Sequence, residues 1–274
     1  MNPSPPGGPR RPDTQVPPRP DVAWTLLPPA VRAPRRRRGT MAVIAIVTAL
    51  AVFGSLGLLG SAVNQATRPK GSSDEYRFLA MAGGKPVRWN PCQPIHYVMN
   101  LTEAPSGSLE DVQEAIRRVS VDTGISFTFD GSTQEVPQQD RGPYLPQLYG
   151  ERWAPVVIAW ASQDETDIPF QEGENRYAAV SRPLAPTDGT AQFVSGWVVI
   201  NAADRNPPGW GSPADQGPTV LHELGHIMGL DHVASKYELM EPSGGYMTDY
   251  GPGDMAGLER LGSDQGCLGT PSVP

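Results

Sequence analysis

The chain has 274 residues and a net charge of −7, with 31 prolines, 30 glycines, two cysteines and four histidines. The first 40 residues carry +6 and the remainder −13, so most of the chain is acidic and would repel nucleic acid. Length suggests one or two domains, but the composition falls into three zones, which makes whole-chain averages uninformative.

Residues 1–40 hold 11 of the prolines, eight arginines and only two acids. Such a composition cannot bury a core and predicts an extended, disordered segment. From Gly39 to Thr67 no residue is charged, and Met41–Val63 is apolar or small throughout. As a helix this run is about 34 Å long, enough to cross a bilayer. Arg35–Arg38 immediately precede it, and the positive-inside bias keeps them in the cytoplasm, with everything after Thr67 outside. The run exceeds a signal-peptide core, which favours a single-pass anchor in the cell membrane. Gly60-Ser61-Ala62 nonetheless offers a cleavage site, so secretion after signal removal stands as the alternative. Residues 64–91 read as a linker and 92–270 as one external domain.

Cys92 and Cys267 lie near the two ends of that domain. An even pair outside the membrane reads as one disulfide closing a long loop; the competing reading makes Cys92 a latency switch over a metal. Between them, strands are predicted at Ile95–Asn100, Ile125–Phe129, Pro155–Ala161 and Trp197–Asn201. A helix over Leu109–Asp122 places Leu109, Val112, Ile116 and Val119 on one face. Residues 142–150 and 206–217, rich in proline and glycine, read as loops. An edge strand falls within Tyr177–Val199, where Ala178–Val180 and Phe193–Val194 both qualify. A further helix spans Thr219–Met228, with Asp215 or Gly217 as cap and Pro218 in its first turn. The fold class is α+β.

That last helix carries the most informative stretch, His222-Glu223-Leu-Gly-His226-Ile-Met-Gly229-Leu-Asp-His232. Positions i and i+4 share a helix face, so His222 and His226 present two ring nitrogens to one metal, with Glu223 alongside. Gly229 sits where a left-handed residue would end the helix and return His232 as a third ligand. Three neutral imidazoles and an open fourth position define a catalytic zinc site, at which Glu223 would act as general base on water.

Downstream, Leu239-Met240-Glu241-Pro242 and the segment Asp254–Leu261 complete a pattern that resembles the metzincin zinc peptidases, and more narrowly the matrixin branch in a bacterial form. The resemblance covers about residues 92–267. It implies a twisted mixed sheet, an active-site helix, a turn with Met240 as hydrophobic floor beneath the zinc, and a C-terminal helix. Pro242 would help wall the pocket for the substrate side chain after the cleaved bond. The implied activity is hydrolysis of protein or peptide substrates laid along an edge strand. Departures are the missing hemopexin-like repeat and propeptide cysteine motif, and Val233 where a serine is usual. His96 is the one histidine outside the motif, so a second zinc site is not expected. Asp164, Glu165 and Asp167, or Asp188 before Gly189, are candidate calcium ligands, with solvated loop carboxylates the favoured reading. Tyr246 and Tyr250 read as loop packing. The alternative function is a catalytically silent external binding module on the same scaffold, against which the intact Glu223 argues.

Overall fold

A computed structural model describes residues 71–170, 176–177, 191–243 and 246–274. The proline- and arginine-rich segment 1–40, the apolar run 41–63, Ala178–Val180 and Asp188 lie outside the described residues. Among those described, no helix is long and apolar enough to cross a membrane. Ser61–Pro274 is one compact unit; the buried core and both cysteines fall within it, so it holds what it needs to fold by itself.

The centre is a five-stranded mixed sheet. Its strands are β4 (Ile95–Asn100), β5 (Phe127–Ser132), β6 (Val156–Ala161), β7 (Arg176–Tyr177) and β8 (Trp197–Asn201). Their spatial order is β5-β4-β6-β8-β7. The first four are parallel, and β7 closes one edge antiparallel to β8. Parallel strands are covered on both faces, which explains the unbroken apolar run of β6. Val156, Ile158 and Trp160 enter the main core, while Val157, Ala159 and Ala161 enter a second cluster with Val98, Trp197 and Val199.

Helix α1 (Ser108–Thr123) buries Val112, Ala115, Ile116 and Val119 in the main core and stops at Gly124, whose φ of 68° only glycine adopts readily. It packs against α3 (Gln216–Met228). The segment between β5 and β6 covers the second face and contains a helical turn, α2 (Pro146–Tyr149), where the composition predicts only loop. It is fastened by the buried Arg141. That guanidinium pairs with Glu135 at 2.6 Å and donates to Ser195 Oγ and to the carbonyls of Gly196 and Pro155. Tyr149 donates to the same Glu135. Burial, reinforced by that carboxylate, pushes its hydroxyl up to about 12.

Residues 77–91, predicted as linker, belong to the fold. Val87 and Trp89 are buried, and the Trp89 indole N–H donates to Ile227 O at 2.7 Å. Strand β1 (Arg77–Phe78) pairs with β9 (Leu230–Asp231), and β2 (Met81–Ala82) forms a hairpin with β3 (Lys85–Pro86). Two-residue strands carry too little periodicity to be read from sequence. Cys92 and Cys267 are joined, 175 residues apart, so Cys92 is not a free thiol over the metal site. Helix α4 (Pro252–Glu259) closes the domain.

Candidate metal centre

Helix α3 is buried along its whole length, an unusual setting for His222, Glu223 and His226. Its first turn begins beyond Asp215, one of the two residues predicted as cap. Its end is set by Gly229 (φ 113°), whose N–H donates to the carbonyls of Gly225 and His226. A Cβ at Gly229 would stand 2.9 Å from the Phe193 ring, so the position is closed by packing as well as by backbone conformation. The chain then pairs as β9 with β1 and delivers His232.

The geometry follows from hydrogen bonding. His222 Nδ1 lies 2.6 Å from Leu239 O, and His226 Nδ1 lies 2.8 Å from Leu230 O. A carbonyl oxygen only accepts, so both Nδ1 atoms carry the proton and both Nε2 atoms present lone pairs. Each Nε2 stands 3.1 Å from Nε2 of His232. Tetrahedral ligands at the usual zinc–nitrogen length stand roughly 3.3 Å apart, so the donor set suits a single ion. Burial, then the neighbouring His232, pushes His226 down to about 4, which keeps it neutral and able to ligate at physiological pH. Among the described residues this is the one group of three or more histidine, cysteine or acidic side chains that converges. Glu223, next to His222 on the same helix, is 3% exposed.

Asp164, Glu165 and Asp167 do not converge: Glu165 accepts from Ser162, and Asp167 from Gln139 N. His96 does not join the triad; it lies in β4, where its Nδ1 bonds Asp130 at 2.9 Å.

Met240 is 1% exposed and lies under α3, where a Cβ on Gly225 would come within 2.4 Å of its sulfur. The glycine between the two helical histidines is therefore the seat of Met240. Sequence reasoning passed over it, although a glycine inside a helix is itself a sign of close approach. Pro242 is exposed just beyond. The turn is held from three sides. Leu239 O receives His222, Met240 O receives the N–H of Val233, and Leu239 N donates to Asp254 Oδ2 at 2.6 Å. Asp254 thus positions His222 through the backbone of a single residue, Leu239, a role that no spacing reveals. It is buried against Glu238, which accepts the Asp254 N–H. Burial, and then the charge of Glu238, pushes Asp254 up to about 7. Tyr250 is buried and donates to Leu221 O at 2.8 Å, whereas Tyr246 is exposed.

No protein-family model matches this chain, nor does any curated protein.

Proposed function

We propose that this chain is a zinc-dependent endopeptidase of the metzincin type, matrixin-like, held at the outer face of the cell membrane by residues 41–63. The observation that carries the reading is the convergence of three histidine Nε2 positions beside a buried glutamate on one helix. Support also comes from the resemblance of residues 219–261 to the matrixin pattern. The donor set fits zinc, with His222, His226 and His232 as the ligands. Zinc, when bound there, supplies a Lewis acid and a water of lowered pKa.

Glu223 takes a proton from the attacking water and returns it to the leaving amine, a role worth about 10²- to 10⁴-fold. The Leu239 and Leu230 carbonyls fix the tautomer and ring plane of His222 and His226. Met240 gives the imidazoles an apolar, close-packed floor. The substrates are proteins or peptides, and the domain's acidic charge opposes nucleic acid as a partner.

The test uses residues 61–274 with a quenched-fluorescent peptide library. The expected result is turnover that a chelator removes and zinc restores. Glu223→Gln should keep one zinc per chain while losing at least about 100-fold in rate, and His226→Ala should lose the metal. Full zinc occupancy without turnover in the unaltered protein would instead indicate the silent binding module.

A further inference from the structure

A cavity of about 430 Å³ lies between the β2–β3 hairpin and the C-terminal residues beyond α4. Lys85, Arg88 and Arg260 line it together with Gln265 and small or apolar residues, and no carboxylate does so among the described residues. Arg88 is held in place without being neutralised: one of its terminal nitrogens donates to the carbonyls of Gln265 and Gly266, both at 2.9 Å. Arg260 rests 5.3 Å from the centre of the Tyr76 ring. None of the three has an acidic partner within 4.0 Å among the described residues. Three uncompensated cations on one cavity are a pronounced local reversal in a chain whose residues after 40 carry −13.

Two further observations define the partner. Leu79, in the bend that leads into the same hairpin, and Met81, the first residue of β2, are 41% and 56% exposed. A free anion has no use for them, whereas a lipid surface accepts both an apolar side chain and a cation. The chain between Val63 and Gly71 also spans at most about 28 Å when fully extended. If 41–63 is a membrane segment, the start of the domain cannot stray farther than that from the bilayer.

We propose that the Lys85–Arg88–Arg260 cavity docks the phosphate of anionic phospholipid headgroups, with Leu79 and Met81 entering the interface beside it. The domain would then lie against the membrane in one orientation instead of swinging on its tether. This inference stands apart from the zinc reading, and neither result decides the other.

The experiment is co-sedimentation of residues 61–274, which lack the apolar run, with vesicles of phosphatidylcholine alone or with 30 mol% phosphatidylglycerol, at about 0.1 M salt. Binding is expected only to the anionic vesicles. It should weaken about fivefold for each cation removed, hence roughly 25-fold in Lys85→Gln/Arg260→Gln. Leu79→Ser/Met81→Ser should also weaken it, with thermal midpoint and zinc content unchanged in both double variants. Equal binding to neutral vesicles, or binding unaffected by the cation variant, overturns the proposal. So does inorganic phosphate protecting the domain thermally without any vesicle binding, which would mark a soluble-anion site. A change in solution mass in the cation variant without vesicle binding would assign the face to a second copy of the chain, and would overturn it equally.

Discussion

Asp254 shows how a side chain outside the histidine triad can govern the placement of one of its members. Its Oδ2 accepts the N–H groups of Leu239 and Gly251, and Leu239 O in turn orients His222. Because burial beside Glu238 raises its pKa to about 7 from an ordinary 3.8, the folded protein holds a proton that the unfolded chain has released. With ν_N larger than ν_U, this group's contribution to stability falls as pH rises from about 4 to about 7 and is level above that. Asp254→Asn keeps the carbonyl acceptor and removes the charge. It should therefore be more stable than the unaltered protein at pH 8 by about 2 kcal/mol, half of the full conversion of that displacement, with the gap closing toward pH 4. Urea midpoints measured across that range check this, and an unchanged gap at all pH values would sink it. Neither the carboxyl pair nor its proton was legible in the sequence, because Glu238 and Asp254 are 16 residues apart and meet only when α4 packs under the turn.

At the scale of elements, α3 and the turn at Met240 are one mechanical unit joined through Gly225. Helix propensity favours alanine over glycine by about 1 kcal/mol at an ordinary helical position. Here an added Cβ meets the Met240 sulfur, with Tyr250 behind it. Gly225→Ala should therefore lose about 1–3 kcal/mol, as in other overpacked cores, and lower zinc affinity as the turn shifts. Chemical denaturation with metal titration reads both; a stabilised variant with unaltered affinity would show that Met240 has room to move. The His222/His226 spacing and the helix around it were readable from the 3.6-residue period, and so was the stop at Gly229. Strands β4, β6 and β8 were also found in place, since buried parallel strands print as apolar runs. Strand β5 begins two residues later than Ile125, because Ile125 is buried in the turn where its N–H reaches Thr123 Oγ1 and sheet pairing starts at Phe127.

Across the whole molecule, the Cys92–Cys267 bond ties the segment before β4 to the segment after α4. A loop of this size corresponds to about 5 kcal/mol in the chain-entropy account. The ends are also held by Leu268 N–H to Asn90 Oδ1 and by Arg88 to the Gln265 and Gly266 carbonyls. Cys92→Ser/Cys267→Ser should accordingly lose about 2–4 kcal/mol, seen as a lower thermal midpoint, while zinc stoichiometry stays at one because the ligands lie on α3 and just beyond β9. Loss of the metal in that variant would mean that the site depends on the closed loop. The sequence by itself determined the candidate ligand residues and the proposed general base, the helix that carries them, and the separation of a proline-rich segment and an apolar run from the acidic remainder of the chain. These depend on local spacing and composition, which a linear chain displays directly. Only the tertiary structure decided that residues 77–91 complete the domain and that β1 guides the third histidine into place. It alone showed that Gly225 seats Met240, that Asp254 braces the turn, and that Lys85, Arg88 and Arg260 share a cavity. Each of these joins residues far apart in the chain, and their meeting is set by packing that no local period encodes.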